Sequence, residues 1–285
     1  MSSENLVPKA IAFFLGIIIP ISFVIYVDWI KKIAAKKLIR KKDENNFDDY
    51  SKMLEYELKE KQSYREAELK FFLPYSIIYI IILILFLLLL GPYFNFDIIE
   101  IYFSSKYNKT IKEKIIGTIT ILIINFVLYS GLLIQFLFGN ESLYPKTKFT
   151  YFMENFYGPL IEEIIYRGIF INAGFNGYKS AVYSSLTFSV SHFRHVFDIY
   201  YNKNLAFLFF QSFYTLLFGF YTCYVYHYSG CIFAPVLLHC VCNTLQMPRF
   251  NYLKDCSLSK FKKNLISFTY IAGILGWILL IKKYH

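Results

Sequence analysis

The sequence predicts an all-α, polytopic integral membrane protein of about eight transmembrane helices. Three observations carry that expectation. Hydrophobic residue types make up 56% of the 285 residues, and the mean hydropathy is +0.41. Apolar runs of about 18 residues or more recur along the chain, which a soluble core does not need. The 30 Lys and Arg outnumber the 20 Asp and Glu and fall mainly between the apolar runs, the arrangement of basic flanks beside membrane spans. That scatter, with no nucleic-acid motif, excludes a nucleic-acid partner and points to membrane lipid instead.

The first apolar run covers about 10–30. Pro20 lies inside it, and Asp28 with a Lys-rich stretch follows, so it reads as an uncleaved span rather than a leader. A charged loop at 31–70 comes next, with a solvated helix over 48–70, where good helix formers carry mixed charge signs. A second span at 71–90 ends at Gly91-Pro92, and a third covers 115–138. Four shorter apolar helices follow at 152–173, 179–197, 205–227 and 231–245, each carrying polar residues. A basic loop and a last span at 265–281 complete the chain. Three regions emerge: N-terminal spans over 1–150, a helical core over 151–250 holding the chemistry, and a basic loop with the last span over 251–285.

Loop charge sets the orientation. Seven basic residues fall within 31–42, which places that loop in the cytosol. The loops after the third, fifth and seventh spans are then cytosolic, and the N-glycosylation triplet Asn108-Lys109-Thr110 is lumenal. Both termini are lumenal as well, which conflicts with the dilysine-like ending Lys282-Lys283-Tyr284-His285. The five cysteines are odd in number and mostly within apolar helices, so they read as core residues rather than a disulfide or metal framework.

A charged side chain at mid-membrane costs roughly 2.5–3.5 kcal/mol, so it persists mostly where it pairs or works. Such residues concentrate in the middle helices. The fourth span reads Gly158-Pro159-Leu160-Ile161-Glu162-Glu163-Ile164-Ile165-Tyr166-Arg167-Gly168. Glu163 and Arg167 are four apart and can pair along one face. Glu162 lies about 100° round the helix, without an evident local partner. Desolvation strengthens a carboxylate's hold on a proton, which suits a general base. The fifth span ends in Phe188-Ser189-Val190-Ser191-His192, and His195 three residues on can share its face. In the seventh, His239 and Asn243 are four apart and bring an imidazole and a carboxamide together, both able to donate to an oxyanion. At 1.5 Å per residue, Glu162 lies about 10 Å and His192, His239 and Asn243 about 6–12 Å from the cytosolic ends of their helices. Three helices thus bring polar groups to one layer.

Glu162-Glu163-x-x-x-Arg167, Phe188-x-x-x-His192 and His239-x-x-x-Asn243, in this order, resemble the three motifs of the CAAX prenyl protease family. The run from Gln211 through Tyr214-Thr215 and Phe218-Gly219 to Gly230 is similar to its type 2, Ras-converting branch. The resemblance covers about 158–248, and Gln246-Met247 stands where Gly-Phe is usual. It implies an endopeptidase of the endoplasmic reticulum membrane, working without a cofactor. Its substrates would be farnesylated or geranylgeranylated CAAX proteins such as small GTPases, from which it removes the last three residues. By the same resemblance, Glu162 and His192 activate a water, and His239 and Asn243 stabilise the oxyanion. Glu163 and Arg167 then support the geometry, with His195 supporting or neutral.

Other readings use the same residues. Glu162, His192 and His239 are ligand types for zinc, although no H-E-x-x-H is present. Intramembrane charge also occurs in transporters, and the motifs can occur in a non-proteolytic membrane scaffold. A cysteine protease would rest on Cys242.

Overall fold

The computed structural model describes residues 109–138, 147–169, 178–192, 205–247 and 250–284, with scattered helical positions between 62 and 85. The expected first span, most of the charged loop and second span, and His195 lie outside the described residues. Among the described residues the chain is all-helical. In order come α1 (Ile111–Leu128), α2 (Ser130–Phe138), α3 (Lys148–Phe152), a π-helical turn (Met153–Tyr157), α4 (Gly158–Glu163), a second π turn (Ile164–Ile169), α5 (Tyr178–His192), α6 (Leu205–Ser229), α7 (Phe233–Leu245) and α8 (Lys260–Tyr284).

The start of α1 follows from its sequence. The Thr110 hydroxyl accepts from Glu113 N–H at 3.3 Å, while the Glu113 carboxylate accepts from Thr110 N–H at 2.7 Å. This reciprocal pair satisfies donors that a helix N-terminus leaves open. Both groups are exposed, and the bonds hold the Glu113 carboxyl below its ordinary pKa. The far end differs from the single span expected over 115–138. Tyr129 leaves helical geometry with ψ near 4°, and α1 and α2 meet at a 55° bend.

The bend lays α2 along α8. A Cβ on Gly131 would sit 2.7 Å from the Tyr270 Cα, and one on Gly273 would sit 2.7 Å from the Val127 carbonyl oxygen. Only glycine permits backbones this close, the usual means of helix association where lipid removes the hydrophobic drive. The Tyr270 hydroxyl donates to Gln135 Oε1 at 2.6 Å across the same contact. Leu132, Tyr252, Leu258 and Ile266 fill the core beside it.

Small residues also join α5 to α6. Gly219 faces Ser185, whose Cα would lie 3.0 Å from an added Cβ. Ser189 Oγ donates to the Ser212 carbonyl at 2.7 Å, and Ser184 Oγ donates to the Tyr166 carbonyl at 2.7 Å. Each hydroxyl thereby finds an acceptor without water. Ile121, Val225, Ala234 and Leu238 form the core where α1, α6 and α7 meet.

Apolar side chains cover the outside. Phe268, Ile271, Ile274, Leu275 and Leu279 on α8 are exposed, as are Ile115, Ile116, Ile119 and Ile123 on α1. Ser180, Ser184, Ser185 and Ser189 and the charged pair Glu163 and Arg167 lie within the bundle instead. A contiguous apolar exterior of this kind suits lipid rather than water. By length and composition, α8 can cross a membrane, and α1 with α2 makes a second crossing if the bent pair is one span.

Gly131→Val should separate α2 from α8. Overpacking of a fitted contact costs about 1–3 kcal/mol, so the apparent Tm in detergent should fall by several degrees; an unchanged Tm would contradict the close approach.

Candidate active site

The ribbon from Lys148 to Ile169 is where the helix repeat changes three times. Its two π turns flank α4, so the carboxylates of Glu162 and Glu163 project from one short α-helical segment between them. Pro159 opens that segment, where a residue lacking N–H is tolerated.

Glu163 and Arg167 are wholly buried and pair along the ribbon, with Arg167 Nε 3.1 Å from Glu163 Oε2. This is ion-pair distance, off the line of a hydrogen bond. The guanidinium needs further partners, and α6 supplies them. Arg167 Nη2 donates to Thr222 Oγ1 and approaches the Gly219 carbonyl at 3.4 Å. Its Cζ lies over the Phe188 ring, 4.5 Å from the centroid, which adds a cation–π contact from α5.

The other oxygen of Glu163 goes to α7. His239 Nδ1 lies 2.8 Å from Glu163 Oε1, and both groups are buried. Glu163 is already paired with a guanidinium, so it accepts and the imidazole Nδ1–H donates. The other ring nitrogen, Nε2, then stands 3.8 Å from Glu162 Oε2. That gap exceeds a direct hydrogen bond and leaves both atoms able to contact a small third party. Glu162 is the more accessible carboxylate, with 27% of its side chain exposed against none of Glu163.

His192, the last residue of α5, is partly buried. Its Nδ1 lies 2.8 Å from the Phe188 carbonyl, which only accepts, so that nitrogen carries a proton. Phe188 is the common wall. Its ring makes edge contacts with His192 at 4.6 Å and His239 at 6.0 Å between centroids. Phe218 of α6 closes the other side of His239 at 4.9 Å. Asn243, one turn beyond His239, donates from Nδ2 to the Glu154 main-chain carbonyl at 2.9 Å.

Glu163, Arg167 and His239 are thus directly connected, Glu162 stands 3.8 Å from His239 Nε2, and His192 joins them through Phe188. The Glu163–Arg167 pair follows from i, i+4 spacing. The Glu163–His239 bond, the Thr222 contact and the Glu154 carbonyl have no sequence signal, because each crosses between helices. Phe188 and Phe218 stood within the quoted sequence words but gave no sign of packing on the imidazoles. Among the described residues, no three His, Cys, Asp or Glu side chains are grouped to hold a metal ion.

Removing one member of a buried ion pair strands the other charge, at a cost of about 3–5 kcal/mol. Arg167→Met should therefore lower stability strongly, and Glu163→Gln combined with Arg167→Met should recover part of the loss. Thermal unfolding in detergent of the two single variants and the double variant checks this. Additive losses would show that the pair is not coupled.

Residues 145–245 match the family model described as Type II CAAX prenyl endopeptidase Rce1-like. The chain is also 27% identical over 133 residues to the CAAX prenyl protease 2 of Arabidopsis thaliana. The match covers 43% of this chain and 40% of that relative. No solved structure matches the chain. The matched stretch contains Glu162, Glu163, Arg167, His192, His239 and Asn243, so the candidate site falls wholly within the part of the chain that is similar to the Rce1-like type II CAAX prenyl endopeptidases.

Proposed function

We propose that the chain is an intramembrane endopeptidase that removes the C-terminal tripeptide from prenylated CAAX proteins. The observation that most supports this reading is the His239 imidazole, fixed through Nδ1 by Glu163 with Nε2 facing Glu162 at 3.8 Å. A peptide-bond hydrolase needs a proton acceptor and an oxyanion donor within reach of one reacting carbonyl.

In this reading a water sits at Glu162, with His192 Nε2 as its second acceptor. The water oxygen attacks the scissile carbonyl carbon, and its proton passes to the Glu162 carboxylate. The carbonyl oxygen becomes an oxyanion, held by His239 Nε2–H and an N–H of Asn243. The imidazole donates from Nε2 while Nδ1–H stays on Glu163, which requires both ring protons. The flanking carboxylates supply the counter-charge for that form. Collapse of the intermediate breaks the C–N bond. Glu162 returns the proton to the departing amine, leaving a new carboxylate on the prenylated cysteine and a free tripeptide.

Glu163 and Arg167 hold the frame, and Arg167 also braces Phe188 against both imidazoles. His195 remains a supporting group in the proposal. Each buried CH₂ of a lipid chain contributes about 0.8 kcal/mol to partitioning. A farnesyl or geranylgeranyl cysteine therefore presents its scissile bond at the membrane, where the polar layer of this bundle would meet it. Eight spans, an active layer toward the cytosol and residence in the endoplasmic reticulum complete the proposal.

Glu162→Ala, His192→Ala and His239→Ala should each abolish tripeptide release from a farnesylated peptide, followed by mass spectrometry on purified protein. Asn243→Ala should slow turnover about 10²–10³-fold, the scale for one oxyanion donor. Normal turnover by folded Glu162→Ala would remove the general-base assignment.

A further inference from the structure

His239 can serve an oxyanion only while its ring keeps Nδ1 toward Glu163 and Nε2 toward the Glu162 side. The contact of Nδ1 with Glu163 Oε1 at 2.8 Å sets that turn of the ring. It holds only as long as the Glu163 carboxylate keeps its own orientation. Arg167 orients the carboxylate in turn, with Nε 3.1 Å from Oε2. Arg167, Glu163 and His239 therefore form a chain with a guanidinium at one end and an imidazole at the other. Both ends meet a single turn of α6.

Thr222 meets the guanidinium end. Its side chain is wholly buried, and its Oγ1 accepts from Arg167 Nη2. A hydroxyl has one proton and two lone pairs. The Thr222 proton is turned to its own helix, toward the carbonyls of Phe218 at 3.1 Å and Gly219 at 3.0 Å. A lone pair thereby faces the guanidinium. The Gly219 carbonyl gives the same Arg167 nitrogen a second acceptor at 3.4 Å. Valine at position 222 would fill the same volume and offer no acceptor, which is costly beside a buried charged donor.

Phe218 meets the imidazole end. Its ring lies edge-on to His239, with centroids 4.9 Å apart. Phe188 also packs on that imidazole, and the two phenyl centroids are 6.3 Å from each other. Phe218 and Thr222 are four apart, so they share a face of α6 about 6 Å apart along its axis. Gly219 lies between them, and an added Cβ there would sit 3.0 Å from Ser185 Cα. That close contact with α5 fixes how deep the turn lies in the bundle.

We propose that the Phe218–Thr222 turn of α6 is a clamp that positions the His239 imidazole. Thr222 acts through Arg167 and Glu163, and Phe218 acts on the ring itself. Both are positioning residues, and Thr222 lies outside the three sequence motifs. The proposal rests on the reading of His239 as an oxyanion donor.

The test is steady-state kinetics on a farnesylated peptide with full-length protein in detergent, joined to NMR of the same protein labelled with ¹⁵N-histidine. Thr222→Val should lower kcat about 10-fold per folded protein, part of the effect of a whole lost donor, with KM within about threefold. Thr222→Ser keeps the hydroxyl and should stay within about threefold of the unaltered protein. The Nδ1 resonance of His239, identified by its loss in His239→Ala, should move in Thr222→Val and return in Thr222→Ser. If Thr222→Val does not fold, Phe218→Leu decides: kcat about 10-fold lower at unchanged KM supports the clamp, and unchanged kcat overturns it. Three results with folded Thr222→Val also overturn it and leave the oxyanion reading of His239 intact: an unchanged kcat, an equal loss in Thr222→Ser, or a lowered kcat with the Nδ1 resonance unmoved. Full turnover by His239→Ala overturns both.

Discussion

The wholly buried Glu163–Arg167 pair governs the arrangement of the bundle. Two charges removed from water must be answered by hydrogen bonds and opposite charge, or the desolvation cost exceeds their attraction. Glu163 spends one oxygen on Arg167 and the other on His239. Arg167 reaches Thr222 and lies over Phe188. These demands draw the ribbon, α5, α6 and α7 to one place. The same contacts that satisfy the pair also fix the imidazole of His239 and the ring beside His192. The bonds that answer the burial of the pair are therefore the same bonds that orient the His239 ring.

The packing around that centre follows from the surroundings. Lipid offers neither a hydrophobic drive between helices nor water for stray polar groups. Close approach at Gly131, Gly219 and Gly273 supplies dispersion contacts, and serine hydroxyls donate hydrogen bonds to nearby carbonyls. Phe, Ile and Leu are released to the outside. The bend at Tyr129 belongs to the same logic. It turns α2 so that Gly131 can meet Tyr270, a contact a straight 115–138 helix would not direct in the same way.

Much of this was legible in the sequence, for reasons that differ residue by residue. Glu163 and Arg167 announce their pairing by a spacing of four, since helix geometry is local. The helices Tyr178–His192, Leu205–Ser229 and Phe233–Leu245 follow the apolar runs closely. The order of the three motifs led to the same family that the match over 145–245 supports. The bond from Glu163 to His239 was not legible, because it depends on how α4 crosses α7. The π turns on either side of α4 leave no periodic mark in so apolar a stretch and become visible only in the backbone. The expectation of eight spans reaches into residues 10–90, largely outside the described residues, where apolar length alone speaks.

The division of labour between the two glutamates follows from their partners rather than from their chemistry. Both are carboxylates on one turn, yet Glu163 has both oxygens committed, one to a cation and one to an imidazole. A proton placed on Glu163 would weaken both contacts at once, so it is poorly suited to shuttle protons during turnover. Glu162 has its side chain partly exposed and stands at 3.8 Å from Nε2, close enough to influence the ring and too far to be bound by it. In the proposed cycle it is the group that takes up and returns the proton while the frame stays still. A hydrolase that must return to its starting state after every cycle would benefit from that separation, with one acid fixed to hold shape and the more accessible neighbour assigned the proton in the proposed mechanism.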